Sequence, residues 1–173
     1  NILVIIPTYN EIENISKIIN AVFNTDLSID VLIVDDLSPD GTGEEVRKLM
    51  KIFSNSLFLE TKLEKQGLGA AYVHGFRWAL KREYDYIFEM DADFSHQPME
   101  LKSMIKILDS EADVVVGSRY VNGVNVVNWP LSRVLLSYFA SLYVQIITSM
   151  PIKDATAGFV GYKMSVLKTI NLD

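Results

Sequence analysis

The amino-acid sequence predicts an α/β domain with a mostly parallel central sheet flanked by helices. Short apolar runs typical of buried strands alternate with segments in which apolar residues recur every three or four positions, as in amphipathic helices. This alternation is typical of βαβ units, which are joined by right-handed crossovers. The 173 residues, 49% of them hydrophobic, suffice for one such domain with a sizeable core. We therefore expect a single domain over residues 1–173.

The strands and helices are predicted in order along the chain. Strands are expected at residues 2–6, 31–34, 57–59, 86–90 and 114–116. Helices are expected around the apolar residues of 12–22 and 46–53, and at about 68–83 and 99–110. A loop at 122–130, which contains Gly, Asn and Pro, separates this part from a long helix over 134–150.

Composition argues against several kinds of site and partner. The chain has no cysteine, which excludes disulfides, thiolate zinc sites and cysteine nucleophiles. It has two histidines, His74 and His96, too few for a histidine-rich metal site. A net charge of −6 argues against a nucleic-acid partner. Because the chain starts within a strand and stops without a tail, we expect both of its ends to be the limits of a fragment.

The charges are unevenly distributed along the chain. Residues 1–113 hold 20 acidic and 11 basic side chains, whereas residues 114–173 hold 2 acidic and 5 basic ones. One interpretation is a first part that binds a metal and a second part that receives anions. The alternative is chance along a short segment.

The long helix combines a broad apolar surface with a narrow polar stripe. Its residues 134–150 carry no charge, and Ser137, Ser141 and Gln145 recur every four residues in continuation of Arg133. One interpretation is a buried core helix. Another is an interfacial helix whose apolar side faces lipid or a lipid-like ligand. A membrane span is the least favoured, because it needs about 20 residues.

Two carboxylates one residue apart, Asp91 and Asp93, follow the predicted strand at 86–90. They should lie at the carboxyl end of that strand, where open α/β sheets bind their ligands. A carboxylate pair there is costly unless it is compensated, and a divalent cation with oxygen ligands is its natural partner. A solvated turn is the alternative, since such a triplet is weak evidence by itself.

The end of the first predicted strand also carries polar side chains. Tyr9 offers a flat surface for a nucleobase, and Glu11 offers a hydrogen-bond acceptor. The alternative is a simple helix start in which Pro7 ends the strand and Asn10 caps the helix. No G-x-G-x-x-G follows this strand and no G-x-x-x-x-G-K-[ST] occurs in the chain, which argues against NAD, FAD and a P-loop.

The second predicted strand ends in Asp35 and Asp36, before the turn sequence at 38–41. A carboxylate at this place can accept the N–H donors of guanine or uracil. With the other two strand ends, these acids predict a nucleotide that lies across the sheet. Its diphosphate would then reach a metal at Asp91 and Asp93.

Glycines and arginines supply candidate phosphate contacts. Gly67 and Gly69 precede a predicted helix, where the backbone can approach a phosphate and the helix N-terminus favours an anion; an ordinary glycine turn is the alternative. Arg119 and Arg133 have the forked guanidinium suited to phosphate oxygens. For Arg119 the alternative is an ion pair with one of the nearby acids.

These residues resemble a known family, the inverting glycosyltransferases of the GT-A fold, family 2. Within it they are most similar to the dolichyl- or polyprenyl-phosphate mannose synthases. The matching segments run in family order over almost the whole chain. They are Pro7-Thr8-Tyr9-Asn10-Glu11, Val34-Asp35-Asp36 with Ser38-Pro39-Asp40-Gly41-Thr42, Gly67-Leu68-Gly69-Ala70-Ala71-Tyr72, Met90-Asp91-Ala92-Asp93-Phe94-Ser95-His96, Gly117-Ser118-Arg119-Tyr120, Arg133 with Ser137, and Asp154-Ala155-Thr156-Ala157-Gly158-Phe159.

The resemblance implies a role for each matched position. Residues implied in binding the donor nucleotide and sugar are Pro7, Tyr9, Glu11, Val34, Asp36, Gly69, Asp91, Ala92, Asp93 and Arg119. Those implied in holding Mg²⁺ or Mn²⁺ are Asp91, Asp93 and Ser95, and those implied at the acceptor phosphate are Arg133 and Ser137. The implied catalytic set is Asp91, Asp93, Arg119 and Arg133. The family's D-x-T-S-G-F-R differs here, because Ala157 and Val160 replace its serine and arginine. The family's catalytic domain also continues past residue 173, so the resemblance implies a fragment that lacks its C-terminal part.

The activity expected from this resemblance is transfer of a hexose with inversion, most simply mannose from GDP-mannose to a polyprenyl or dolichyl phosphate. A phosphate acceptor is already anionic near neutral pH and needs no general base, and Asp154 is the one candidate base between residues 114 and 172. We expect a protein at the cytoplasmic face of a membrane, peripheral or anchored by a region outside this chain.

Three alternatives remain open from the sequence. The first is a family 2 enzyme that uses UDP-glucose or a UDP-N-acetylhexosamine, with a lipid-phosphate or a sugar-hydroxyl acceptor. The second is a nucleotide-sugar-binding module without turnover. The third, a haloacid-dehalogenase-like phosphatase with Asp91 as nucleophile, is the least favoured, because that motif belongs on a first strand.

Overall fold

A computed structural model describes residues 1–62, 67–118, 131–150 and 152–172, apart from the side chains of Leu131, Arg133 and Val134. The predicted loop at 122–130 and Arg119 lie outside the described residues. Strands within these ranges are β1 Ile2–Thr8, β2 Ile29–Asp35, β3 Leu57–Thr61, β4 Tyr86–Glu89, β5 Val114–Val116 and β6 Val160–Lys163. Helices are α1 Ile15–Phe23, α2 Thr42–Leu49, α3 Leu68–Ala79, α4 Leu101–Ser110, α5 Leu131–Thr148 and α6 Met164–Leu167.

The six strands form one sheet in the order β3-β2-β1-β4-β6-β5. β1 pairs in parallel with β2 and β4, and β2 pairs in parallel with β3. β6 runs antiparallel to both β4 and β5. The predicted α/β fold with a mostly parallel sheet is therefore confirmed. The parallel strands β1, β2 and β4 bring their carboxyl ends to one edge.

The core lies on both faces of the sheet, because alternate strand residues point to opposite sides. Val4 and Ile6 of β1 pack with α1, α2 and α4 on one face, while Leu3 and Ile5 pack with α3 and α6 on the other. All four are fully buried. This two-sided burial explains why the strands appear in the sequence as continuous apolar runs.

β1 is longer than predicted and contains Pro7. Its pairing with β2 continues from Ile2 opposite Ile29 to Thr8 opposite Asp35. The alternative interpretation of this segment, in which Pro7 ends the strand and Asn10 caps the helix, is therefore wrong. α1 begins later, after Asn14, and Asn10 instead adopts a left-handed backbone with φ of 60°.

Three further elements depart from the prediction. β6 was not predicted, because its four residues include Gly161 and form no apolar run. The helix expected to start at 99 is preceded by a 3₁₀ turn at Pro98–Glu100, and α4 proper starts at Leu101. α3 ends at Ala79, four residues before its predicted end.

α5 carries large exposed apolar side chains, so the expectation of a buried core helix is not met in the described chain. The most exposed is Leu136, at 73%. The others are Leu135, Tyr138, Phe139, Leu142, Tyr143, Ile146 and Ile147, and Met150 just after the helix is exposed as well. Ser141, on the predicted polar stripe, is buried instead. None of the described helices combines the length and the apolar character that a membrane crossing requires.

Candidate active site

The sheet edge formed by the carboxyl ends of β1, β2 and β4 holds a cavity of about 260 Å³. Its lining comes from the three strand ends and from the start of α3. The lining residues are Pro7, Thr8, Tyr9, Glu11, Asp36, Gly67, Leu68, Ala71, Asp91, Ala92 and Asp93. The structure thus brings together seven of the ten residues predicted to bind the donor: Pro7, Tyr9, Glu11, Asp36, Asp91, Ala92 and Asp93.

Two of the remaining donor residues, Val34 and Gly69, and the predicted metal ligand Ser95 lie off this lining. Val34 has a fully buried side chain that packs in the core against α3. Side chains of a strand point to one or the other face of the sheet, and that of Val34 points to the face covered by α3 and not to the edge. Gly69 belongs to the first turn of α3 but does not line the cavity. Ser95 donates its backbone N–H to Asp93 Oδ1 at 2.9 Å and so supports the loop that carries Asp93.

The predicted acceptor residues are described only in part. Arg119 and the side chain of Arg133 lie outside the described residues, so their roles stay predictions. Ser137 of α5 lies with its Oγ 2.8 Å from Thr156 Oγ1. Thr156 in turn donates to Asp154 Oδ1 from its backbone N–H at 3.2 Å and from its hydroxyl at 3.0 Å. These contacts join α5 to the loop that leads to Gly158.

The two aspartates at the end of β2 have different roles. Asp35 is buried and accepts hydrogen bonds from Thr8 Oγ1 at 2.9 Å, from the Ser38 backbone N–H at 3.0 Å and from Ser38 Oγ at 2.5 Å. It therefore stabilises the turn that follows β2. Asp36, in contrast, lines the cavity.

Asp36 is paired with a lysine that the sequence analysis did not single out. Lys62, just after β3, places its Nζ 3.0 Å from Asp36 Oδ1, and both side chains are at least nine-tenths buried. The pair is close enough for a strong attraction but is not aligned as a hydrogen bond. Asp36 Oδ2 accepts the Gly67 backbone N–H at 3.2 Å. A charged residue directly after an apolar strand was the signal that could have identified Lys62.

Asp91 is held closely by two residues from other elements. Tyr72 of α3 donates its hydroxyl to Asp91 Oδ1 at 3.3 Å. Gly158 also lies close to this carboxylate, because a Cβ added there would come within 2.1 Å of Asp91 Oδ2. Only a residue without a side chain leaves room for the carboxylate here. Both contacts depend on tertiary structure, so the sequence showed only the motifs to which the two residues belong.

Glu89 lies behind Asp91 and has an unusual protonation equilibrium. Burial raises the pKa of Glu89 to about 7; the hydrogen bond that the Tyr162 hydroxyl donates at 3.0 Å opposes this rise, and the charge of Asp91 adds to it. The folded protein therefore holds this proton more tightly than the unfolded chain does. It follows that the contribution of Glu89 to the free energy of unfolding is largest below about pH 4.5 and is lost as the pH rises through 7.

The variant Glu89→Gln is expected to remove this part of the pH dependence. Gln keeps an oxygen that accepts from Tyr162 but cannot ionise. Wild type should lose about 3 kcal/mol relative to the variant between pH 4.5 and pH 8. Urea unfolding of both proteins in EDTA measures the difference. Parallel stability curves would show that Glu89 titrates normally.

The sequence has relatives whose similarity extends over nearly the whole chain. The profile described as Glycosyl transferase family 2 matches residues 3–170. The chain is 44% identical to a polyprenol monophosphomannose synthase of Mycolicibacterium smegmatis and 44% identical to an undecaprenyl-phosphate mannosyltransferase of Micrococcus luteus, over 98% and 99% of its length. It is 35% identical to a dolichol-phosphate mannosyltransferase of Pyrococcus furiosus, over 98% of its length. The chain spans 64%, 70% and 48% of these three proteins, respectively.

Solved structures share the fold at lower sequence identity. A mannosyltransferase from Pyrobaculum calidifontis, in complex with GDP-Man and Mn²⁺, matches with a TM-score of 0.68 at 21% identity, over 96% of this chain and 45% of that one. A glucosyl-3-phosphoglycerate synthase from Mycobacterium tuberculosis, in complex with Mn²⁺, UDP and its product, matches with a TM-score of 0.71 at 16% identity, over 98% of this chain and 59% of that one. At these identities the likeness concerns the fold alone.

Proposed function

Since this chain belongs to glycosyl transferase family 2, we propose that it transfers mannose from GDP-mannose to a polyprenyl or dolichyl phosphate, with inversion at the anomeric carbon. The observation that carries the proposal is the cavity where three strand ends bring Tyr9, Asp36 and Asp91 to one sheet edge. The three relatives described above are named as mannosyltransferases or mannose synthases that act on a polyprenol or dolichol phosphate. These names support the choice of sugar and acceptor.

The nucleoside would occupy the part of the cavity between β1 and β2. Tyr9 is partly exposed there and offers its ring to a base, while Asp36 offers a carboxylate to the base's N–H donors. The nearby Lys62 places its Nζ 3.0 Å from Asp36 Oδ1. Val34 would support this site from the core, through the position of the strand.

The residues at the end of β4 fit a divalent cation such as Mg²⁺ or Mn²⁺. Asp91 and Asp93 both face the cavity and supply the carboxylate oxygens that these cations prefer. Among the described residues there is no group of three or more acids or histidines that could enclose a metal. This donor set suits an ion that completes its coordination with substrate phosphate oxygens and water, and Ser95 would act through water. When bound, the cation would neutralise the charge of the departing diphosphate.

The acceptor would approach from the side of α5 and the loop 152–159. A phosphate oxygen of the acceptor attacks the anomeric carbon of mannose, the bond from that carbon to the diphosphate breaks, and GDP leaves. Ser137 lies on this side, and Arg119 and Arg133 are proposed to hold the acceptor phosphate. The acceptor phosphate is ionised near neutral pH, so no residue has to remove a proton.

The lipid part of the acceptor suggests that the protein works at a membrane surface. The exposed apolar side chains of α5 offer a place for contact with acyl or prenyl chains, and the same helix carries Ser137, which is proposed to lie at the acceptor phosphate. We propose peripheral association through this face, or an anchor outside this chain. Its location on the cytoplasmic side remains part of the proposal.

The variant Asp154→Asn tests whether the reaction needs a general base. Asp154 is 1% exposed, and its Oδ1 accepts two hydrogen bonds from Thr156, which an asparagine oxygen can also accept. The variant is therefore expected to keep turnover within about tenfold of wild type, well short of the effect expected for a lost catalytic base. Initial rates, with GDP-mannose binding measured in parallel, decide the matter. Loss of turnover with intact binding would favour Asp154 as base and a hydroxyl acceptor.

A direct transfer assay tests the proposed function. The full-length protein is incubated with radiolabelled GDP-mannose, Mn²⁺ and undecaprenyl phosphate in detergent, and the label in the organic phase is counted. We expect transfer to undecaprenyl phosphate, no transfer to undecaprenol, and loss of transfer in EDTA. Transfer from UDP-glucose or UDP-N-acetylglucosamine instead would favour the alternative donor class. Binding of GDP-mannose without any transfer would favour a binding module.

A further inference from the structure

We infer that Tyr72 is a positioning residue that holds the Asp91 carboxylate in the orientation which the proposed metal site requires. The inference rests on the proposed function, because it concerns how that site holds its divalent cation. It adds a residue from α3 to the proposed metal site, whose two carboxylates lie at the end of β4.

The first step is the contact itself. The Tyr72 hydroxyl donates to Asp91 Oδ1 at 3.3 Å, and the tyrosine side chain is otherwise buried in the core between α3 and the sheet. A tyrosine hydroxyl is a hydrogen-bond donor with an ordinary pKa of about 10, so it can donate to the carboxylate at neutral pH.

The second step is the rigidity of the tyrosine ring. Phe76, one helical turn further along α3, stacks on Tyr72 with ring centroids 6.3 Å apart and an angle of 22° between planes. Phe76 also meets the edge of Tyr162 at 5.8 Å. Packed aromatic rings leave Tyr72 little freedom to turn, so the hydroxyl stays at a defined place.

The third step is the close approach of Gly158 to the same carboxylate. Gly158 lies so close to Asp91 that a Cβ there would be 2.1 Å from Oδ2 and 2.9 Å from Oδ1. The Tyr72 hydroxyl and Gly158 thus both restrict the space open to the Asp91 carboxylate. A metal-binding carboxylate is typically oriented by such an outer hydrogen bond, and losing the outer partner commonly weakens metal binding 10- to 100-fold.

The fourth step separates the two ends of the cavity. α3 also supports the nucleoside end, since the Gly67 N–H at its start donates to Asp36 Oδ2 at 3.2 Å. Asp36 has Lys62 as a further neighbour. Removing the Tyr72 hydroxyl should therefore weaken the metal end while the nucleoside end keeps its own contacts.

The variant Tyr72→Phe tests the inference in the full-length protein, because it deletes the hydroxyl and keeps the ring. We expect the dissociation constant of Mn²⁺, measured with saturating GDP from the electron paramagnetic resonance signal of free Mn²⁺, to rise about tenfold. The dissociation constant of GDP in EDTA, measured by calorimetry, is expected to stay within twofold of wild type. A merely structural role would not produce this separation.

Tyr84→Phe is the matched control. Tyr84 is also a buried tyrosine that donates to an aspartate, Asp30 Oδ2 at 2.8 Å, but it lies away from the cavity. We expect this variant to leave both dissociation constants unchanged. Equal Mn²⁺ affinity in Tyr72→Phe and wild type, or an equal loss in both variants, would overturn the inference while leaving the proposed function intact. If wild type binds GDP but no Mn²⁺, the proposed metal site fails and the inference fails with it.

Discussion

Replacing Gly158 with alanine is expected to lower turnover at least about a hundredfold while the protein still folds. The new Cβ would lie 2.1 Å from Asp91 Oδ2, far inside contact distance, so the carboxylate has to move. A shift of about 1 Å in a group that positions substrate can cost a factor of about 100. Gly158 has no left-handed backbone requirement, so the effect comes from the lost space. The kcat for mannose transfer measures it, with the thermal unfolding curve as a check on folding.

Gly43→Ala is the control for Gly158→Ala. Gly43 lies in α2, and an added Cβ there would meet its nearest neighbours, Arg47 Nη1 and Asp35 Oδ2, at 3.5 Å, an ordinary contact distance. This variant should keep wild-type turnover and gain about 0.5 to 1 kcal/mol of stability from the better helix former. A Gly158→Ala enzyme with wild-type kcat would show that Asp91 has room to move without loss of function.

Lys62→Met is expected to reduce the free energy of unfolding by about 3 to 5 kcal/mol. Asp36 and Lys62 are buried together, with Oδ1 and Nζ 3.0 Å apart. Removing the lysine leaves a buried carboxylate without its compensating charge, which costs far more than the pair contributes when both partners are present. Urea unfolding of wild type and variant gives the difference in the free energy of unfolding, provided that both proteins show the same dependence of this free energy on urea concentration.

Two further variants complete the test of Lys62. Lys48→Met removes a surface ion pair with Glu45, whose lysine side chain is 71% exposed, and should change stability by less than about 1 kcal/mol. The double variant Lys62→Met/Asp36→Leu should recover part of the loss, because no isolated charge stays buried. If Lys62→Met costs no more than Lys48→Met, water reaches the Asp36 carboxylate in solution.

Local patterns were enough for the frame of the fold and for the general position of the site. Strands that are buried on both faces appear as apolar runs, and polar residues directly after them mark the carboxyl edge of a parallel sheet. Tyr9, Glu11, Asp36, Asp91 and Asp93 were predicted on that ground or from the family's motifs, and they line one cavity. Whether they bind a sugar nucleotide is what the transfer assay decides.

Features that depend on long-range pairing were not predictable in this way. β6 has four residues, one of them Gly161, and it is a strand because β4 and β5 lie on either side of it. In the same way, residue type and spacing do not distinguish Asp35 from Asp36, and it was the family resemblance that singled out Asp36. Only the folded chain places Thr8 and Ser38 around Asp35 and leaves Asp36 to the cavity.

The sequence by itself determined the α/β class, the edge of the sheet that carries the site and the acids that stand there, because these follow from residue type and from periods of two and of three to four along the chain. The tertiary structure alone decided how those acids are held. Lys62, Tyr72 and Gly158 come from three separate segments. Lys62 Nζ lies 3.0 Å from Asp36 Oδ1, the Tyr72 hydroxyl lies 3.3 Å from Asp91 Oδ1, and Gly158 leaves no space for a Cβ beside Asp91. No local pattern encodes these contacts. The physical reason is that the charge and orientation of a buried carboxylate depend on what surrounds it in space, and packing brings those neighbours from distant parts of the chain.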